Sequence, residues 1–156
     1  MTFYYLDASA WVKRYAKEVG ANWMQSLFDQ RPLMASASLG LVEVMATLAR
    51  KQKARELAAA QFAQKTQTLE RDWDRFIQIH FTPEAVYLAS DSARKLALRG
   101  ADAVHLAAGL LLQQRFAQND DQVIFVTSDR ELKTAAQASG LAVIDPTERE
   151  TDTAST

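Results

Sequence analysis

The sequence of 156 residues contains no cysteine. Disulfide staples, thiolate zinc sites and a cysteine nucleophile are thereby excluded, and the composition suits a reducing cytoplasm. An excess of charge is missing as well: 18 Lys and Arg face 19 Asp and Glu, a formal net charge of −1. Without a bulk-basic coat, any contact with nucleic acid must come from a local patch. Long apolar runs are absent too. The most apolar stretch, Ala103 to Leu112, is about half a bilayer span and carries His105, so no membrane partner is expected. The opening Met-Thr-Phe-Tyr-Tyr-Leu lacks the basic leader and longer apolar stretch of a signal peptide, and a mature start is expected. No internal repeat, low-complexity block or linker is visible. With 48% hydrophobic and 24% charged residues, what is there is one domain with a real core.

Along the chain, short apolar runs alternate with amphipathic stretches. Strands are expected at Thr2–Leu6, Leu33–Ala37, Ile77–Phe81, Val123–Val126 and Ala142–Ile144. Helices are expected from Ala10 to Tyr15 with Ser9 as cap, over Ala21–Asp29, and from Leu39 to about Lys51 with Ser38 as cap. One long helical pattern runs from Ala54 to Phe76, and further helices follow at Pro83–Leu98, Ala101–Phe116 and Glu131–Ser139. Alternation of this kind predicts an α/β fold, a parallel sheet flanked by helices. Residues 1–147 are expected as a single domain and 148–156 as a polar, disordered tail. In such sheets the functional cleft lies beyond the carboxyl ends of the strands.

Four acids stand where solvated charges do not belong. Asp7 follows Tyr4-Tyr5-Leu6 at a strand end, and Asp129 follows Val126-Thr127-Ser128 at another. Glu43 is embedded in Leu41-Val42-Glu43-Val44-Met45, and Asp102 opens Ala101-Asp102-Ala103-Val104-His105. Asp7, Asp102 and Asp129 could each simply cap the helix that follows. Glu43 on an apolar helix needs a partner, and an ion pair is the plain alternative. If the four converge, like charges about 5 Å apart repel by roughly 3 kcal/mol at an effective dielectric near 20. A cation must then join them, and oxygen-only ligands select Mg²⁺ or Mn²⁺ over Zn²⁺.

Tyr5-Leu6-Asp7-Ala8-Ser9, Leu41-Val42-Glu43-Val44, Ala101-Asp102-Ala103-Val104-His105-Leu106-Ala107 and Val126-Thr127-Ser128-Asp129 together resemble the PIN-domain family. More narrowly, the chain is similar to the VapC-type toxins of prokaryotic type II toxin–antitoxin systems. The resemblance runs from about Phe3 to Pro146, with the motifs in family order. It implies a three-layer α/β/α sandwich on a mainly parallel sheet. Asp7, Glu43 and Asp102 would be the core metal-binding and catalytic acids, Asp129 the more variable fourth, and Ser9 and Thr127 supporting hydroxyls. The implied activity is Mg²⁺- or Mn²⁺-dependent endonucleolytic cleavage of RNA by activated water, leaving a 5′-phosphate and a 3′-hydroxyl. The implied partners are a cognate antitoxin and a second copy of the chain.

Several residues carry two readings. The only histidines, His80 and His105, fall on different elements, so a paired-histidine ribonuclease is disfavoured. His105 lies one turn after Asp102, but a packed histidine is commoner on an Ala/Leu-rich helix than a ligand for an oxygen-preferring metal. Arg50, Lys51 and Lys53 read as a solvated helix end or as a hold on RNA phosphates, with Lys13 and Arg14 as a second contact. The aromatic-bearing helix from Ala54 to Phe76 offers apolar surface for a dimer. Competing functions are a non-catalytic PIN-like module that binds RNA or protein, a phosphotransferase using Asp7, and a DNA-directed nuclease. Ser9 stands where the phosphotransferase would need a second acid, and the chain lacks extra DNA-binding elements.

Overall fold

The computed structural model describes residues 1–153. Five strands, β1 (Thr2–Leu6), β2 (Leu33–Ala37), β3 (Ile77–Ile79), β4 (Gln122–Val126) and β5 (Ala142–Ile144), form one sheet in the order β3-β2-β1-β4-β5. Every pairing is parallel, with Tyr5 opposite both Ala35 and Phe125. Because β1 is flanked by β2 on one side and β4 on the other, the strand order reverses at β1, where such sheets open a crevice.

The pleat divides the side chains between two cores. Phe3, Tyr5, Val123 and Phe125 face one side, where α5 (Pro83–Leu96), α6 (Gly100–Phe116) and α7 (Arg130–Ala138) pack. Leu6 and Val126 face the other, against α1 (Ala8–Trp11), α2 (Ala21–Asp29), α3 (Ser38–Lys53) and α4 (Ala59–Arg75). The result is the three-layer α/β/α sandwich that the alternating pattern and the PIN resemblance imply.

Three local expectations are corrected. The single pattern from Ala54 to Phe76 breaks, although no Gly or Pro marks the break: Arg55 takes a positive φ of 62° between α3 and α4. Helix α4 restarts where the Gln61 side chain accepts from Ala58 N at 2.9 Å. Its aromatic face is not open for a dimer, because Trp73 and Phe76 pack around Trp11 with ring centroids 5.9 and 4.8 Å away. Finally, residues 146–153 form helix α8 instead of a disordered tail, while 154–156 lie outside the described residues. The helix is held at both ends of its first turns. Asp145 accepts from Thr147 N at 2.9 Å, and Glu150 accepts from Asn22 N at 2.6 Å, supplying the cap that α2 lacks after Gly20.

Candidate active site

Asp7 leaves β1 at its carboxyl end. Its amide donates to Val126 O at 3.1 Å, continuing the β1–β4 ladder by one residue, and its carboxylate turns back to cap α1. The cap is Asp7, not Ser9: Asp7 Oδ1 accepts from Ala10 N at 3.0 Å and α1 already begins at Ala8. Ser9, inside the first turn, aims its hydroxyl at Asp7 Oδ1 at 2.8 Å and receives a bond from Ser128 N at 3.0 Å. Thr127 Oγ1 donates to Asp7 Oδ2 at 2.7 Å while accepting from Asp129 N at 3.1 Å. The two hydroxyls thus tie the end of β1 to the end of β4 through one carboxylate. Asp7 is 3% exposed, and no cation is among these hydrogen-bond donors. Burial holds its carboxyl above the usual carboxylate range, although His105 and the hydrogen bonds from Thr127, Ala10 and Ser9 pull the other way.

The remaining acids reach the same place from three helices. Asp129 caps α7, with Oδ1 accepting from Leu132 N at 2.9 Å. Asp102 sits in the first turn of α6, where a carboxylate is favoured by the helix dipole. Glu43 projects from the second turn of α3, which starts directly at the end of β2. A cavity of about 300 Å³ brings together Asp7, Ser9, Glu43, Asp102 and Asp129 with Arg99 and His105.

Arg99 carries no signal in the sequence beyond its i, i+3 spacing to Asp102. Its Nε stands 3.3 Å from Asp102 Oδ2 and its Nη2 3.2 Å from Asp129 Oδ2, so one largely exposed guanidinium bridges two carboxylates. The neighbouring Asp102, Asp129 and Glu131 charges push the guanidinium upward. Asp102 itself is raised by burial and by Asp129, with Arg99 acting against both. His105 is buried on α6, and its Nε2 lies 2.6 Å from Glu43 Oε1. In this arrangement, no three His, Asp or Glu side chains among the described residues are gathered tightly enough to hold a metal ion. The donor set nonetheless fits a hard divalent cation. All four acids line one cavity, they offer only oxygen, and burial holds two of them, Asp7 and Asp102, above their ordinary values.

The cationic candidates fare differently. Lys13 is 7% exposed, its ammonium 2.9 Å from Glu18, and it does not face solvent as an RNA contact must. It sits in the short 3₁₀ helix Val12–Arg14 that follows α1. Arg14 is held by Asp72 at 3.4 Å and by Gln25 at 2.6 Å, with its guanidinium 4.5 Å above the Phe28 ring. Arg50, Lys51 and Lys53 lie in the last turn of α3, more than about 10 Å along the helix from Glu43. Lys51 pairs with Glu56 there, and Arg50 donates to Thr47.

No family model matches the chain. Comparison with individual proteins does find relatives. Over 147 residues the chain is 35% identical to "Ribonuclease VapC45" of Mycobacterium tuberculosis (strain CDC 1551 / Oshkosh), covering 92% of this chain and 95% of that protein. Its fold is similar to that in a crystal structure of VapBC2 from Rickettsia felis bound to a promoter DNA fragment. That match has a TM-score of 0.62 and 14% identity, and covers 92% of this chain and 98% of the other. A toxin–antitoxin complex from Klebsiella pneumoniae gives a TM-score of 0.58 at 16% identity, covering 91% and 96% of the two chains. A relation at 35% identity across nearly both full lengths, joined to the same sandwich, settles the family: this chain belongs to the VapC ribonucleases.

Proposed function

We propose that the chain is a Mg²⁺- or Mn²⁺-dependent endoribonuclease that acts as the toxin of a type II toxin–antitoxin pair. The observation that carries this reading is the single cavity at the carboxyl edge of the sheet, lined by Asp7, Glu43, Asp102 and Asp129. A bound divalent ion would lower the pKa of water and neutralise charge on the scissile phosphate. The chain's own part is to hold the four carboxylates ready. Ser9 and Thr127 fix Asp7 by hydrogen bonds to both of its oxygens, and the caps of α1 and α7 fix the direction of Asp7 and Asp129. Arg99, largely exposed beside Asp102 and Asp129 at the cavity, would be the guanidinium placed to pair with an RNA phosphate. The exposed last turn of α3, with Arg50, Lys51 and Lys53, supplies a second hold on the RNA backbone.

The reading includes a cognate antitoxin, the kind of partner named for the similar Klebsiella complex, and a second copy of the chain. Apolar side chains for such contacts stand exposed at Val42, Phe81 and Tyr87. No helix among the described residues is long and apolar enough to cross a membrane, and the reading places the pair in the cytoplasm.

One observation favours a second reading, a non-catalytic PIN-like module that binds RNA or protein. Arg99 and His105 already engage three of the four acids. Calorimetric titration with Mn²⁺ and RNA cleavage by the wild type, Asp7→Asn and Asp102→Asn decide between them. The nuclease binds Mn²⁺ and loses cleavage in both folded variants. No binding at millimolar Mn²⁺, or full cleavage by both variants, rejects it.

A further inference from the structure

We propose that Tyr5 and His105 form a buried relay that engages one oxygen of Glu43, so that Glu43 offers a cation a single oxygen. The inference rests on the metal reading above. His105 is 2% exposed in the middle of α6, and both ring nitrogens are used. Nε2 lies 2.6 Å from Glu43 Oε1, and Nδ1 lies 2.7 Å from Tyr5 Oη. With the ring neutral, a carboxylate oxygen that only accepts places the imidazole proton on Nε2, and Nδ1 then accepts from the phenol. Tyr5 Oη in turn accepts from Ala37 N at 3.2 Å. The chain of donors therefore runs from the backbone at the end of β2, through β1 and α6, to the cavity face of α3. Every link points the same way, so each bond strengthens the next.

The packing leaves these groups little freedom. Tyr5 is fully buried, with its ring stacked on Phe125 at 4.9 Å and 17°. Helix α3 comes close at Gly40, where a Cβ would stand 3.3 Å from His105 Cε1. A histidine placed only for packing needs its polar atoms satisfied by any neighbour. This one ends on the single acid of the cavity that neither caps a helix nor meets Arg99. Partners of this outer kind orient ligands and tune affinity. A one-oxygen carboxylate suits the compact octahedral shell of Mg²⁺ or Mn²⁺, whereas Ca²⁺ readily takes both oxygens. Tyr5 and His105 are thus positioning residues that discriminate between ions.

The test uses the full chain without metal, titrated calorimetrically with Mn²⁺ and separately with Ca²⁺, beside melting curves and ¹⁵N NMR of the histidine rings. The expected wild type shows the Nε2–H tautomer at His105. His105→Ala should lose about 10–100-fold in Mn²⁺ affinity. Tyr5→Phe should lose less, and in both the Mn²⁺-to-Ca²⁺ preference falls. His105→Gln, which keeps a donor toward Glu43, should recover part of the loss and serves if the alanine variant does not fold. Lower melting with unchanged Mn²⁺ affinity in these variants, or an Nδ1–H tautomer in the wild type, overturns the relay while leaving the nuclease reading intact. Wild type that binds neither ion overturns the metal reading, and the ion-discriminating role falls with it.

Discussion

Replacing Gly40 with alanine sets helix propensity against close approach, and the structure gives the size of both. In an unconstrained helix the change should stabilise by about 1 kcal/mol. At Gly40 an added Cβ would fall 2.5 Å from Ser36 Oγ, an atom that cannot simply swing away because it donates to Leu6 O at 2.7 Å in a fully buried position. Either that bond breaks or α3 moves outward, at a cost of about 1–3 kcal/mol. The balance is a loss of about 0–2 kcal/mol, or up to about 8 °C in melting temperature for a chain of this length. Removing the obstacle should reverse the sign. In a Ser36→Ala background the nearest remaining contact is His105 Cε1 at 3.3 Å, and Gly40→Ala should become neutral or stabilising. Melting and denaturant titration of the four proteins of this cycle measure the coupling directly. Because Glu43 lies one turn further along α3, an outward shift near 1 Å should also cost cleavage about 10²-fold. Stabilisation by about 1 kcal/mol in both backgrounds, with cleavage intact, would refute the close approach.

Asp7→Asn should change the pH dependence of stability as well as remove cleavage. Burial holds the folded carboxyl above its unfolded value, so the folded state keeps a proton that the unfolded chain has lost, and wild-type stability falls as pH rises from about 4. The advantage of the asparagine variant in metal-free melts should grow over that window and then level off. A constant difference from acid to neutral pH counts against it. Alanine at Arg50, Lys51 and Lys53 together should weaken RNA binding across sequences and flatten its salt dependence. Lys13→Ala should cost at least about 1 kcal/mol of stability and leave the salt slope alone, since Lys13 is buried against Glu18. An altered slope would mean that Lys13 reaches RNA. Glu150→Ala should lower stability by about 0.5–2 kcal/mol through the cap it gives α2, and an unchanged melting temperature would show that α8 contributes no such cap.

What could be read in the sequence was whatever is local and periodic. Strands β1, β2 and β5 stand at the expected residues, since each is a short apolar run stopped by Asp7, Ser38 or Asp145. The acids Asp7 and Asp129 announce themselves because a carboxylate directly after a strand is displaced from solvent. What was hidden depends on partners far along the chain or on backbone choices that composition does not mark. Arg55 enters the left-handed region without glycine, so nothing in the pattern divides α3 from α4. Helix α8 is polar and reads as a tail until Glu150 finds the amide of Asn22, 128 residues away. Arg99 looks like any solvated arginine before a glycine, and only the folding of α7 beside α6 gives it Asp129 as well as Asp102. His105 was visible as a neighbour of Asp102, yet the partner it takes is Glu43 on another helix.

The protein's treatment of its buried acids separates the cavity from ordinary structure. Asp72 is nearly as buried as Asp7, and it receives the Tyr15 hydroxyl at 2.7 Å together with the Arg14 guanidinium at 3.4 Å. A carboxylate with no further duty is thus compensated where it sits. Asp7 receives two hydroxyls and one amide and no cation in contact. Asp102 and Asp129 share a single guanidinium, and Glu43 has an imidazole donor. Burial holds Asp7 and Asp102 above their ordinary values, with Asp129 adding to it at Asp102, and the hydrogen bonds, His105 and Arg99 only partly offset it. Four acids facing one arginine leave an excess of negative charge that Arg99 reduces in part and a dication would reduce further. That imbalance, beside a fold that supplies Arg14 to Asp72, supports the proposed reading of the cavity as the place where a cation would bind.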